Sequence, residues 1–573
     1  MKHETIKISE RVLRLWDLLF RAGSFALTAR PRERDRAPSA EGLLIRLAVT
    51  MLATLLTLLP GISFPLHAAA FDDPRQKDAD DRKDKDTKAA AYRDGKKAVR
   101  AGKLDKALEI YRSLLDRDAG DVQAHLGIAL TYTKKLNYKL SYEHATEALR
   151  LDPASARAHA LAGLSLLRSG LIRDATLELN DAFRLDPKEA LAWGAAAEID
   201  YYEGRSKESR ERSLRAFALD SDEPDYLITY ARASSRVESF KDAADAYERF
   251  LDIAPETDRE RRDRIKGLIV FYRRLVGVEV HQLGGARSTE LPFQLGSDRR
   301  PYIQIRINGR PANFVVDTGS GFTVISKESA KRFGVTEVAR GGTSQGVGGD
   351  GKFEIVYGLI KTIQLGDVRI KSVPCFIRPF HSVKDRPPEE RAEGFIGLSV
   401  LSHFLTDIDY KDSTMRLDRD PDKTVKVADS VDTVVPFRTT QNGLISIETE
   451  LDGAHRINAI LDSGASSTVI STAAVNRLNL RDSIIKGQTV RVVGAAGISE
   501  NVELLFLRHC RVADLEQNNL RALVLDFNAI NETSGFEQSG ILGGDFLRHF
   551  RIRIDFNRAQ VTLQPHTGAI TRQ

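Results

Sequence analysis

The chain has 573 residues, 42% of them hydrophobic and 29% charged, a globular composition too long for one core and suited to roughly three or four structural units. The formal charge is +5, but residues 1–70 carry ten Lys/Arg against six Asp/Glu, and the rest holds 75 basic and 74 acidic groups. With that leader set aside, no basic excess argues for a nucleic-acid partner. Cys375 and Cys510 fit no CxxC or Cys/His spacing and the histidines form no HExxH, so no metal or other cofactor is expected.

An uncharged apolar run from Leu47 to Leu59 follows Arg30, Arg32, Arg34, Arg36 and Arg46 and precedes Pro60, Gly61, Pro65 and Ala68-Ala69-Ala70. Basic, apolar, breaker, small-x-small is the order of a secretory signal cleaved after Ala70. Residues 47–66 are also just long enough for an uncleaved membrane anchor. Residues 1–70 are therefore expected to direct export, to a periplasm, with anchoring as the alternative. In an oxidising compartment the two cysteines could pair; two buried free thiols is the plainer reading. Residues 71–88 are a mixed-charge run with little to bury, expected to be a solvated linker.

Residues 89–276 are read as a repeat array with a capping helix, the 34-residue repeat running between Ala89 and Pro255. Pro153, Pro187, Ser221 and Pro255 fall in register, as do Gly95, Ala129, Gly163, Ala197 and Ala231, and Ala107, Ser141, Ala175, Ser209 and Ala243. Small side chains at fixed points let antiparallel helices approach closely, and Pro after Leu-Asp ends the second helix of each pair. With Trp193 at its aromatic position, the array resembles tetratricopeptide repeats, which implies an all-α solenoid with a concave surface for a protein partner or substrate. Ile265, Leu268, Ile269, Tyr272 and Leu275 suit a final capping helix.

From about Leu291 short apolar runs broken by Gly, Asn and Asp predict an all-β region, and this region is duplicated. Phe314–Ser326 reads FVVDTGSGFTVIS and Ala459–Ser471 reads AILDSGASSTVIS; each delivers one carboxylate, Asp317 or Asp462, at a sharp turn between apolar strands. Flanking landmarks keep nearly the same phase: Leu291-Pro292-Phe293 with Val435-Pro436-Phe437, Phe395-Ile396-Gly397 with Ile541-Leu542-Gly543, and His403-Phe404 with His549-Phe550.

These residues resemble the aspartic proteases, and the lobe length is more similar to their retropepsin-like bacterial members than to pepsin. The resemblance implies a multidomain chain: the solenoid, then an all-β double-lobed protease fold with lobes at 290–425 and 430–570. It implies Asp317 and Asp462 as the catalytic pair of an aspartic endopeptidase acting on peptide or protein. Thr318 and Ser463 would brace the loops, Gly319 and Gly464 make the tight turns, and Gly397 and Gly543 sit beneath. Gly346, Val347, Gly348 and Gly349, with Val493 and Gly494 in the second lobe, resemble substrate-covering flaps; Gly346, Gly348 and Gly351 also spell GxGxxG, but no helix or βαβ unit follows. Two close carboxylates share a proton, so one can activate water while the other polarises the scissile carbonyl. Ser320 faces Ala465 in the second copy, and its extra hydroxyl is expected to make Asp317 the base and Asp462 the proton holder. A silent two-lobed binding protein and pairing of lobes between two chains are the alternatives. His403 and His549 read as structural.

Overall fold

A computed structural model describes residues 74–346, 352–380, 387–419, 432–453, 455–566 and 570–572. The expected leader, 1–70, lies outside the described residues. Among the described residues no helix is long and apolar enough to cross a membrane. All contacts below lie within the compact unit Ala79–Gln573.

The expected linker differs. From Pro74 the chain is already in α1 (Pro74–Arg100). Proline fits a first helical turn, and the Lys, Arg and Ala that follow favour a helix even where little is buried.

The helices that follow are α2 (Leu104–Leu115), α3 (Val122–Lys134), α4 (Tyr138–Leu151), α5 (Ala156–Arg168), α6 (Ile172–Leu185), α7 (Ala190–Tyr202), α8 (Ser206–Leu219), α9 (Asp225–Arg236), α10 (Phe240–Ile253) and α11 (Arg259–Leu275). The starts of α2, α4, α6, α8 and α10 keep the 34-residue spacing read from the sequence. Ala107, Ser141, Ala175, Ser209 and Ala243 are all fully buried, where any larger side chain would push the paired helices apart. Asp121, Asn137 and Ser155 cap α3, α4 and α5 through their side chains.

Each β lobe is built on a nine-stranded sheet, and a six-stranded sheet joins them. In that shared sheet Leu405–Asp409 of the first lobe pairs antiparallel with Phe550–Asp555 of the second. Arg551 and Arg553 of one strand both bond Asp407 of the other, so the fused lobes close on each other within one chain. Cys375 and Cys510 are buried free thiols, one in each lobe.

The solenoid is docked on both lobes. Its middle holds the second lobe: Arg168 donates to Gly535 O at 2.8 Å, Tyr202 packs on Phe536, and Arg236 donates to Thr439 Oγ1 at 2.8 Å while lying over Tyr201. Its last helix, α11, holds the first lobe through Phe271 stacked on Tyr357 and through a backbone approach of Gly267 to Gly341. A Cβ at Gly267 would stand 2.4 Å from the Gly341 Cα, and backbone on both sides leaves nothing to yield. Gly267→Val is expected to destabilise the full chain by about 1–3 kcal/mol, the usual cost of overpacking, read as a lowered unfolding midpoint. An unchanged midpoint would mean that α11 is not seated there.

Candidate active site

In each lobe a β-branched strand runs into the acidic turn and a short parallel strand supports it. Arg310–Val316 pairs with Gly394–Ile396, and His455–Leu461 pairs with Gly540–Leu542. The backbone N–H of Asp317 donates to Ile396 O and that of Asp462 to Leu542 O, both at 3.0 Å. Thus the apolar-apolar-Gly triplets hold the acid loops from beneath, with Gly397 against the Phe322 carbonyl and Gly543 against the Ser467 backbone.

The two loops are tied to each other by reciprocal bonds. Thr318 Oγ1 donates to Leu461 O at 2.7 Å and accepts from Ser463 N at 2.9 Å. In turn Ser463 Oγ donates to Val316 O at 2.8 Å and accepts from Thr318 N at 3.1 Å. Both hydroxyls are buried, so every bond in the set replaces water and fixes one lobe against the other. The turns need glycine for closeness: a Cβ on Gly319 would stand 2.1 Å from the Asp462 Cγ, and one on Gly464 2.4 Å from the Asp317 Oδ1. Asp317 and Asp462 consequently face each other across the lobe junction and share a hydrogen bond.

Their surroundings differ. Asp462 Oδ1 accepts from Gly464 N at 2.8 Å and Ala465 N at 3.0 Å, whereas Asp317 Oδ1 accepts only from Gly319 N, at 2.9 Å, among these turn amides. Burial and then the neighbouring Asp462 push the Asp317 carboxyl well above the usual carboxylate range. Burial also raises Asp462, but the bond from Asp317, the two N–H groups and Arg300 pull it back toward the ionised form. These contacts favour the charge on Asp462 over Asp317, the opposite direction from the expectation drawn from Ser320. The Ser320 hydroxyl turns away and donates to Phe322 O at 2.8 Å, so it gives Asp317 nothing.

Of the expected flap residues, Val347, Gly348 and Gly349 lie outside the described residues. Gly346 follows the first strand of the first hairpin, formed by Thr336–Gln345 and Lys352–Leu365; Val493 and Gly494 begin the turn of the second, formed by Ile484–Val493 and Ile498–Val512. The hairpins meet, with Gly346 against Ala495 and Ala496. His403 packs at a tilt against His281, ring centroids 4.6 Å apart, on the solenoid side of the first lobe, and His549 O accepts from His566 N. Two residues carry no sequence signal: Arg300, held by Asp298 and Tyr302, and Arg378, whose charge acts on Asp317. Among the described residues no cluster of His, Cys, Asp and Glu could hold a metal ion.

The aspartyl protease family matches the chain twice, over residues 303–400 and 447–546. A curated relative, DNA damage-inducible protein 1 of Kluyveromyces lactis, is 34% identical over 119 residues, covering 20% of this chain and 26% of that protein. The chain thus spans about a quarter of the relative it matches. Among solved structures, a thermophilic TPR protein of Thermus thermophilus is 19% identical, covering 33% of this chain and 100% of that one at a TM-score of 0.27. The APC/C hetero-tetramer Cut9-Hcn1 is 14% identical, covering 33% and 38% at 0.28. Those scores add nothing to the helix pairing described above. One aspartyl protease match thus falls in each lobe of a duplicated, interlocked all-β pair, so the C-terminal half of the chain is similar to that family twice over, and an all-α array of paired helices precedes it.

Proposed function

We propose that the two lobes form one aspartic endopeptidase site in which Asp462 takes a proton from a bound water while protonated Asp317 polarises the scissile carbonyl. Water then attacks directly, without an acyl-enzyme. The observation that carries this reading is the reciprocal Thr318 and Ser463 tie, which sets the two carboxyls face to face. The aspartyl protease matches support it independently.

The solenoid would recruit substrate or a protein partner. The solenoid and both lobes line a half-open cavity of about 2050 Å³ whose lining reaches Gly321 and Phe322 but does not include Asp317, so a segment held there would lie beside the acid site rather than in it. The N-terminal basic and apolar run supports export to a periplasm; the mass of the exported chain would then begin at Phe71. A peptide library incubated with the full chain from acidic to neutral pH tests the activity. Internal cuts made by the wild type and absent with Asp462→Asn are expected; no cuts at any pH would favour a silent binding protein.

A further inference from the structure

Arg378 ends the strand Val368–Arg378 on the wall of the first lobe, half-buried beside Asp317. Its guanidinium lies 5.3 Å from the ring of Phe380 and 5.8 Å from that of Phe395. Phe395 belongs to the strand that supports the Asp317 loop. From this seat Arg378 Nη1 donates at 2.7 Å to the carbonyl of Ala495, in the turn of the second-lobe hairpin. Gly346, the residue after the first-lobe strand Thr336–Gln345, approaches the same spot: a Cβ on it would stand 2.7 Å from the Ala495 Cβ and 3.1 Å from Ala496 N. Gly346 of the first lobe therefore meets Ala495–Ala496 of the second, and a side chain from the acid-site wall fastens that point.

We propose, resting on the endopeptidase reading, that Arg378 is a positioning residue, a latch that fastens the second-lobe hairpin to the first-lobe wall beside the dyad and must re-form after each substrate enters. The two rings flank the guanidinium while its N–H reaches the Ala495 carbonyl; a lysine ammonium carries the charge without the planar, ring-flanked donor set. The same positive charge beside Asp317 favours the ionised dyad. Closure and proton balance are thus served by one side chain. The copies are not equivalent here, because this latch runs from the first lobe to the second.

Arg378→Ala and Arg378→Lys in the full chain test it, with KM and kcat on a peptide that the wild type cuts, the pH profile, and amide hydrogen exchange across Val493–Ile498. Arg378→Ala is expected to raise KM about ten- to hundredfold, the factor one charge-assisted hydrogen bond carries, with kcat changing less. Its acidic limb should move to higher pH and the hairpin amides should exchange faster. Arg378→Lys should keep the acidic limb near the wild type and recover only part of KM. Wild-type KM, limb and exchange in Arg378→Ala would overturn the latch. Failure of the endopeptidase reading looks different: no cuts by the wild type, or undiminished cutting by Asp462→Asn. In that case the exchange rates of Arg378→Ala against wild type decide the latch by themselves.

Discussion

Asp317→Asn is expected to lose peptide cleavage by about 10²–10⁴-fold, the range for removing a positioned acid or base, and yet to unfold at a higher temperature than the wild type at neutral pH. The second half follows from linkage. The Asp317 carboxyl binds its proton more tightly folded than unfolded, because burial and Asp462 disfavour its charge. Wild-type stability therefore falls as pH rises from the ordinary carboxylate range through the raised native value. Asparagine does not titrate, so the variant escapes that fall, and the gap should close as pH drops below the unfolded value. Asp462→Asn should gain less, because it gives up a charge that Gly464 N–H, Ala465 N–H and Arg300 stabilise. Thermal melts of both variants from acidic to neutral pH check this. Equal gains, or a larger one for Asp462→Asn, would put the proton on Asp462.

Ser463→Ala is expected to cost about 2–4 kcal/mol, from two buried hydrogen bonds lost together. The hydroxyl donates to Val316 O and accepts from Thr318 N, so its removal leaves a buried N–H and a buried carbonyl of the first lobe unpaired. Because these bonds cross the lobe junction, the loss falls on the alignment of Asp317 with Asp462 as well as on stability. Cleavage should therefore drop even at temperatures where the variant stays folded, and Ser463→Thr, which keeps the hydroxyl, should restore much of both. Chemical unfolding and kcat/KM at low temperature separate the two effects. A Ser463→Ala chain with wild-type stability would mean that the tie is not closed.

Much of this was legible before folding. The 34-residue phase placed the helix pairs because close helix approach demands small side chains at Ala107, Ser141, Ala175, Ser209 and Ala243. The duplicated landmarks placed Asp317 opposite Asp462 because each copy repeats the acid turn together with the strand that supports it. Other features come from partners far apart in sequence. Arg378 reaches Ala495 across 117 positions, and the seating of α11 at Gly341 rests on two glycines that carry no motif. The extra hydroxyl of Ser320 gives Asp317 no support for a local reason, because its own turn offers it the Phe322 carbonyl. Backbone N–H groups at Gly464 and Ala465, invisible in a comparison of side chains, support charge on Asp462 instead.

The most direct test of a single site made by both lobes of one chain is kcat/KM on one peptide for wild type, Asp317→Asn, Asp462→Asn and an equimolar mixture of the two variants. Cleavage by the wild type alone is the predicted result, with both variants and their mixture near the blank. Full activity in either variant would contradict the shared dyad, and activity restored by mixing would show that the lobes pair between chains.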